Sequence, residues 1–343
     1  MSETPKIICN NIWKIFGTYP KRTLENLDRS LSRAEVQAQT GHVIGVNDVS
    51  FQINKGETFV VMGLSGSGKS TLVRCISRLI EPTAGEVIID GEDIMKYSDT
   101  QLTQFRRFRM SMVFQHFGLF PHRKVIDNIS FGLEIRGAPK KERRQQAMEV
   151  LEKVGLHGWA EHYPRELSGG MQQRVGLARA MAVDPEILIF DEPFSALDPL
   201  IRREMQDELI NIQNEVHKTM IFITHDFLEA IKMGDHIAIM KDGIVVQIGT
   251  PEEIVANPVD DYVREFTEDV PRYKVLSVGK IMREASEATR SNGAQRVSEG
   301  AKLDSLIDVA IAADGPLAVV DSDDRIVGEI DQSMILKAMD SRS

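Results

Sequence analysis

An α/β fold with a largely parallel central sheet follows from three features of the chain. Short, almost wholly apolar runs recur: TFVVM at 58–62, EILIF at 186–190 and TMIFIT at 219–224. That is the composition of strands covered on both faces. Amphipathic stretches long enough for helices lie between them, as crossover connections in a parallel sheet require. A glycine-rich turn, GLSGSGKST at 63–71, leaves the first run and enters a helical pattern. Near the C-terminus, LAVVDSDDRIVGEIDQSMILKAM (317–339) reads strand, turn, strand, helix, a second and smaller α/β module.

The elements follow in order. Residues 7–16 alternate as a first strand. The polar stretch 18–42 is helix-compatible, with Leu24, Leu27 and Leu31 at helical spacing, and reads as a surface insertion. Strands resume at VIGVNDVSFQI and ETFVVMG. A helix is expected from Lys69 to Leu79, stopping before Pro82. EVIIDGEDI is a strand, a turn at Asp90-Gly91 and a return. Residues 99–156 carry basic and apolar residues at helical period around a strand at MSMVFQ. A helix from about Gly169, the strand of EILIFDE, a long helix after Pro199, the TMIFIT strand and a helix after His225 complete the sheet. HIAIMKDGIVVQIGT closes it as a hairpin turning at Asp242-Gly243. The boundary before the tail module is expected at EDVPRYKVLS, 268–277.

Composition bounds the function. The chain has 343 residues, 42% hydrophobic and 27% charged, room for two domains. Its net charge of -10 argues against a general nucleic-acid binder. No apolar run reaches the roughly 20 residues that span a bilayer, and the N-terminus lacks the basic start and apolar core of a signal peptide. The chain therefore reads as soluble and cytosolic. Cys9 and Cys75 have no metal-ligand spacing and read as buried reduced thiols.

Four stretches carry chemistry. Gly63 to Ser70 fits GxxxxGK[ST], preceded by an apolar strand and followed by a helix, which is the context the motif needs. Gly63, Gly66 and Gly68, with Ser65, Ser67 and Thr71, let backbone N–H groups curl around phosphate oxygens at a helix N-terminus. Lys69 reaches the β- and γ-phosphates and the Ser70 hydroxyl ligates Mg²⁺. Asp191 and Glu192 follow an apolar strand, at the carboxyl edge where ligands of α/β sheets sit. Asp191 would hold Mg²⁺ through water, and Glu192 would polarise or deprotonate the attacking water. His225 ends the TMIFIT strand at the same edge, placed for a γ-phosphate contact, and Gln115 is placed to touch Mg²⁺ and water. Lastly, LSGGM at 167–171 is a second glycine turn opening a helix. Ser168 is a suitable N-cap, and Gly169 and Gly170 leave the donors of that turn uncovered.

One nucleotide needs one phosphate loop, so the second turn requires an explanation. The motif set resembles the nucleotide-binding subunits of ATP-binding cassette (ABC) transporters over roughly residues 7–265. GLSGSGKS is similar to the Walker A loop, Gln115 to the Q-loop residue, LSGGM to the family signature, ILIFDE to Walker B, SALD with Asp198 to the D-loop, and His225 to the switch histidine. The resemblance implies an ATPase with ATP and Mg²⁺ as ligands; Ser70, Gln115 and Asp191 would hold the metal, and Glu192, His225 and Gln115 would be catalytic. It implies a P-loop NTPase cassette over 1–267: a RecA-like sheet, an antiparallel β subdomain and a helical subdomain at about 116–180. It also implies a homodimer whose signature residues Ser168, Gly169, Gly170 and Met171 face the partner's ATP. Met171 stands where many members have glutamine, and Gln172 follows it. Phe16 sits where the family stacks an aromatic on adenine, with Trp13 as competitor.

With one cassette and no membrane span, the resemblance further implies two separate permease subunits, an extracytoplasmic substrate-binding protein, no nucleic-acid partner, and a peripheral position on the cytoplasmic face of the bacterial inner membrane. Phe117, Leu119 and Phe120 are candidates for contacting a permease coupling helix, or are core. The insertion at 23–41, the run 61–94 and the tail are similar to quaternary-amine importers for glycine betaine, proline betaine, choline or related osmolytes. The tail, 275–343, resembles a cystathionine-β-synthase (CBS) module. Its 8 basic and 12 acidic residues do not favour attraction to anionic lipid.

Overall fold

The computed structural model describes residues 5–115, 118–291, 294–313 and 315–339. Contacts divide it into two compact units, 1–246 and 247–343.

In the first unit, β1 (Pro5–Phe16) leads to two short helices, α1 (Pro20–Glu25) and α2 (Arg33–Thr40), and returns through β2 (Val43–Asn54). The expected surface insertion is thus a helix pair. Its leucines have a physical role: Leu24, Leu27 and Leu31 pack on a small core of Ile15, Val36 and Ile44. Ser32 closes α2 with a capping box to Glu35.

β3 (Thr58–Met62) is buried at every residue. It feeds α3 (Lys69–Ile76), one turn shorter than the run to Leu79, because Arg78 takes a left-handed backbone (φ 50). β4 (Ala84–Ile89) and β5 (Glu92–Asp93) follow, joined by Asp90 and Gly91. Both turn residues have positive φ, as a two-residue primed turn demands. β1, β2, β4 and β5 form an antiparallel sheet in the order β2-β1-β4-β5.

α4 (Asp99–Phe108) and β6 (Met110–Val113) precede a helical block: α5 (Val125–Ile129), α6 (Phe131–Ile135), α7 (Lys140–Lys153) and α8 (Gly169–Ala182). Then come β7 (Ile187–Asp191), α9 (Pro199–Val216), β8 (Thr219–Thr224), α10 (Phe227–Met233), β9 (His236–Lys241) and β10 (Ile244–Gly249). The second sheet runs β10-β9-β3-β8-β7-β6, with β9, β3, β8, β7 and β6 all parallel. β3, β7 and β8 are wholly buried, which explains their unbroken apolar sequences. The core around α3 joins residues of both sheets, among them Ile7, Val87, Phe59, Ile189 and Ile221. Because β3, β7 and β8 are parallel neighbours, their carboxyl ends bring Gly63, Asp191 and Thr224 to one edge.

The second unit begins inside β10, earlier than the boundary expected at 268–277. α11 (Pro251–Ala256) and α12 (Asp261–Thr267) fold with the tail: α11 packs on α13 (Arg272–Val275), and Glu252 Oε1 accepts from both the N–H and the hydroxyl of Ser277, each at 2.6 Å. α14 (Val278–Ile281), α15 (Glu287–Ser291), β11 (Arg296–Ser298), α16 (Ile307–Ala312), β12 (Leu317–Val320), β13 (Ile326–Ile330) and α17 (Gln332–Met339) complete it. β11 and β12 are parallel, β12 and β13 antiparallel. Glu329 is buried among Arg283, Ser286 and Thr289, whose donors hold its carboxyl down to about 2.

Candidate active site

The phosphate loop joins β3 to α3, and its glycines are required by contact as well as by backbone. Gly63 (φ 143) and Gly68 (φ 108) lie where L side chains are strained, and an added Cβ would stand 2.2 Å from the Met240 carbonyl and 2.4 Å from the Gly45 carbonyl. Gly66 (φ 79) and Ser65 lie exposed on the same loop. The Ser67 hydroxyl is buried and has no hydrogen-bond partner among the described residues. A buried orphan hydroxyl costs stability and marks a place where a ligand oxygen would be welcome.

Lys69 is buried and curls over the loop, its Nζ donating to the carbonyls of Gly63 (2.8 Å) and Leu64 (3.1 Å). Burial pushes its pKa below the usual lysine range, while the nearby Glu192 and Asp191 carboxylates oppose that shift. Its Nζ stands 3.8 Å from Glu192 Oε1. One residue on, the Ser70 hydroxyl donates to Asp191 Oδ1 at 2.9 Å. Arg74, one helical turn further along α3, donates to Asp191 Oδ2 at 3.1 Å. Asp191 is therefore a buried carboxylate held by α3 through both of its oxygens.

Glu192 follows it in a left-handed backbone (φ 47), uncommon for a residue other than glycine and sustained only where the surroundings enforce it. Its N–H donates to the Ile223 carbonyl of β8 at 3.1 Å, and its Oε2 lies 3.2 Å from His225 Nδ1. Lys69, Glu192 and His225 thus converge. Gln115 lies in the turn after β6 and donates to the Ser195 hydroxyl at 3.2 Å; that hydroxyl donates in turn to the Glu192 carbonyl at 3.0 Å. Gln115 therefore touches Ser195, a contact that no spacing in the sequence announces.

The second glycine turn lies apart in its bonding. Ser168 caps α8, its hydroxyl accepting from the Met171 N–H at 3.3 Å, and its carbonyl accepts from the Gln172 N–H. Both partners are on its own helix. Ser168 and Gly169 are exposed. Gly170 is buried, and a Cβ there would stand 2.5 Å from Ile201 Cγ2 in the first turn of α9. Asp198 caps α9, accepting from the Ile201 N–H at 3.1 Å.

Comparison with known proteins decides the class. The ABC transporter family model matches residues 46–195. The chain is 46% identical to the trimethylamine N-oxide transport system ATP-binding protein TmoW of Pelagibacter ubique (strain HTCC1062), covering 98% of each chain. It is 50% identical to the glycine betaine transport ATP-binding protein OpuAA of Bacillus subtilis (strain 168), over 99% of this chain and 80% of that one.

The chain belongs to the ABC transporter family.

It is accordingly an ATP-binding cassette and an ATPase. Among solved structures it resembles a dimeric post-hydrolysis state of the ATP-binding cassette MJ0796 bound to ADP and Pi, at 33% identity and a TM-score of 0.60, over 71% of this chain and 98% of that one. Within the cassette, the two aromatic candidates differ sharply. Trp13 is buried, with the Arg29 guanidinium 5.4 Å from its ring. Phe16 is 40% exposed and packs beside Gly45, which is also close to Thr71 of the phosphate loop. Leu119 and Phe120 are half-buried, Phe120 stacking edge-on against Phe131 at 4.6 Å; Phe117 lies outside the described residues. Cys9 and Cys75 are buried free thiols, Cys75 pushed up to about 12 by burial.

Three contacts have no counterpart in the sequence reading. Arg33 of α2 donates to the Gly66 carbonyl at 2.7 Å, which binds the helix pair to the phosphate loop. Ser195 links Gln115 to Glu192. Arg74 supports Asp191, and here a signal exists: it lies four residues after Ser70, on the same face of α3.

Proposed function

We propose that this chain is the ATP-hydrolysing subunit of an importer for a quaternary-amine osmolyte such as glycine betaine, choline or proline betaine. The observation that carries the reading is the convergence of Lys69, Glu192 and His225 beside the Ser70–Asp191 pair at one sheet edge. The transport names of relatives that align along nearly the whole chain support the cargo class. The N-oxide in one of those names shares a trimethylated nitrogen with glycine betaine and choline.

Each residue then has a role. The phosphate loop receives the triphosphate, Lys69 exchanges its two loop carbonyls for phosphate oxygens, and Phe16 stacks on adenine. Ser70, Asp191 and the Gln115 amide form a hard oxygen set suited to Mg²⁺, which when bound neutralises charge on the phosphates. Glu192 accepts a proton from the attacking water as general base, and His225, bonded to it, steadies that carboxylate and faces the γ-phosphate. Ser168, Gly169, Gly170 and Met171 meet the nucleotide of a second copy, with Asp198 beside them, so that two copies enclose two ATP molecules. Two permease subunits would carry the solute past a membrane on whose cytoplasmic face the cassette docks, fed by an extracytoplasmic binding protein. No described helix is long and apolar enough to cross a membrane. Residues 275–343 would act as a CBS-like regulatory module.

The test is Glu192→Gln in the full-length chain. Removing a general base lowers turnover on the order of 10²–10⁴-fold, while ATP affinity is kept and a two-copy complex accumulates on size exclusion with ATP. Normal phosphate release by this variant would end the proposed mechanism. Uptake of labelled glycine betaine, choline and trimethylamine N-oxide in a deletion strain would separate the cargoes.

A further inference from the structure

Behind the loop that carries His225 lies a buried carboxylate with no role in the chemistry above. Glu229, on α10, is 6% exposed. Its Oε2 accepts from the hydroxyl of Thr224, the residue before His225, and that hydroxyl accepts from the N–H of Asp226, the residue after it. The Glu229 side chain therefore holds the chain on both sides of His225. Its other oxygen, Oε1, accepts from the Gln206 amide of α9 at 2.9 Å, and Gln206 Oε1 accepts from Lys232 Nζ at 3.3 Å. Burial raises the Glu229 pKa against the pull of these donors.

Neighbouring residues of α9, within about one turn of Gln206, serve different loops. Arg202 donates to the carbonyls of Phe194 and Leu197 at the D-loop, at 3.2 and 3.1 Å. Ile201 packs on Gly170 of the signature turn, and Glu208 pairs with Arg174 of α8 at 2.6 Å. One helix thus touches the signature helix, the D-loop and, through Gln206 and Glu229, the loop of His225.

We propose that Gln206 and Glu229 are positioning residues that fasten the His225 loop to α9, so that engagement of the signature turn with one nucleotide is felt at the histidine serving the other. This deepens the two-copy reading above and rests on it. The direction of the hydrogen bonds makes the link testable. Thr224 and Gln206 both donate to Glu229, and Lys232 donates to Gln206. In Glu229→Gln a new amide N–H must face either Thr224, the Gln206 amide donor or, after a flip of Gln206, a second donor facing Lys232. Facing Thr224, that N–H is accepted by the hydroxyl oxygen but leaves the hydroxyl proton without its acceptor, and in the other two arrangements donor faces donor, so each leaves one buried donor unpaired. Adding Gln206→Glu reverses the donor at the helix junction and satisfies the whole chain again. Thr224 then donates to the oxygen of the introduced amide, the N–H of that amide donates to the introduced carboxylate, and Lys232 donates to the same carboxylate.

The experiment measures ATP turnover by the full-length chain. Glu229→Gln is expected to lower kcat about tenfold with the KM for ATP within about twofold, the effect of one frustrated buried hydrogen bond. The double change Gln206→Glu with Glu229→Gln should recover most of it. In a His225→Ala background, Glu229→Gln should add little, because its effect passes through the histidine. Wild-type turnover in Glu229→Gln would overturn the proposal, as would a double variant worse than the single, or an undiminished loss without His225. If Glu229→Gln does not fold, the double variant still decides. Failure of Glu192→Gln to hold two copies together would remove the enclosed-nucleotide reading without altering the His225 comparison, which reads rates and not association.

Discussion

Replacing Gly68 with alanine adds one methyl group at the floor of the phosphate loop. Its backbone (φ 108) lies where an L residue costs about 1–3 kcal/mol. The new Cβ would stand 2.4 Å from the Gly45 carbonyl oxygen, against 3.4 Å for ordinary contact. Both atoms are fixed by main chain, so no rotamer relieves the overlap, and loop and β2 must part by about an ångström. A displacement of that size in a positioning element costs on the order of 10²-fold in function. ATP affinity by titration calorimetry should fall by that order, and turnover with it. The melting temperature should drop only by about 2–4 °C for each kcal/mol of strain, since α3 and its core are untouched. Gly91→Ala is the control. Its φ of 81 carries a comparable backbone strain, but nothing lies within 4 Å of the added Cβ. It should lose about 1–2 kcal/mol of stability and bind ATP normally. Unchanged ATP affinity in Gly68→Ala, or an equal loss in Gly91→Ala, would refute the reasoning.

The two aromatic residues of β1 should separate by phenotype. Phe16→Ala should weaken ATP binding about tenfold, for a stacking energy near about 1.4 kcal/mol, with the melting temperature unchanged. Trp13→Ala should cost about 3–5 kcal/mol of stability; a Trp13→Ala protein that folds normally but loses ATP would reverse the assignment. In the second unit, the Glu329 carboxyl is held down to about 2 from an unfolded value of 4.5. A depressed folded pKa contributes stability that is complete above about pH 4.5 and is lost as pH falls towards 2. Glu329→Gln should flatten that acid limb in denaturant titrations followed across this range, and an acid limb of unchanged slope would show the carboxylate to be irrelevant.

Much of the molecule is written in local sequence. The β3, β7 and β8 strands announce themselves by unbroken apolar residues because both faces are covered. The glycine turn before Lys69 is legible because only glycine tolerates the backbone there and the chain opposite it. Asp191, Glu192 and His225 are placed at one edge by a single rule, that parallel strands end together. Other features depend on residues far apart in the chain. Helix α3 stops at Ile76 rather than Leu79 because of the turn at Arg78, and the surface insertion is two helices resting on Ile15 and Ile44, which lie outside it. Trp13 and Phe16 are three residues apart and chemically alike, and each has a cation over its ring; only the burial of one and the openness of the other distinguish them. The second unit claims α11 because Glu252 reaches Ser277, a pairing that neither residue signals.

By itself the sequence determined which groups end the buried strands at one sheet edge and which strands carry them, since apolar patterning and glycine backbone freedom act over a few residues. Tertiary structure alone decided which groups meet: Gln115 with Ser195, Arg33 with Gly66, Gln206 with Glu229. Hydrogen bonds and burial depend on distance in space, and a buried carboxylate such as Glu229 is indistinguishable from a solvated one until the elements that enclose it have packed.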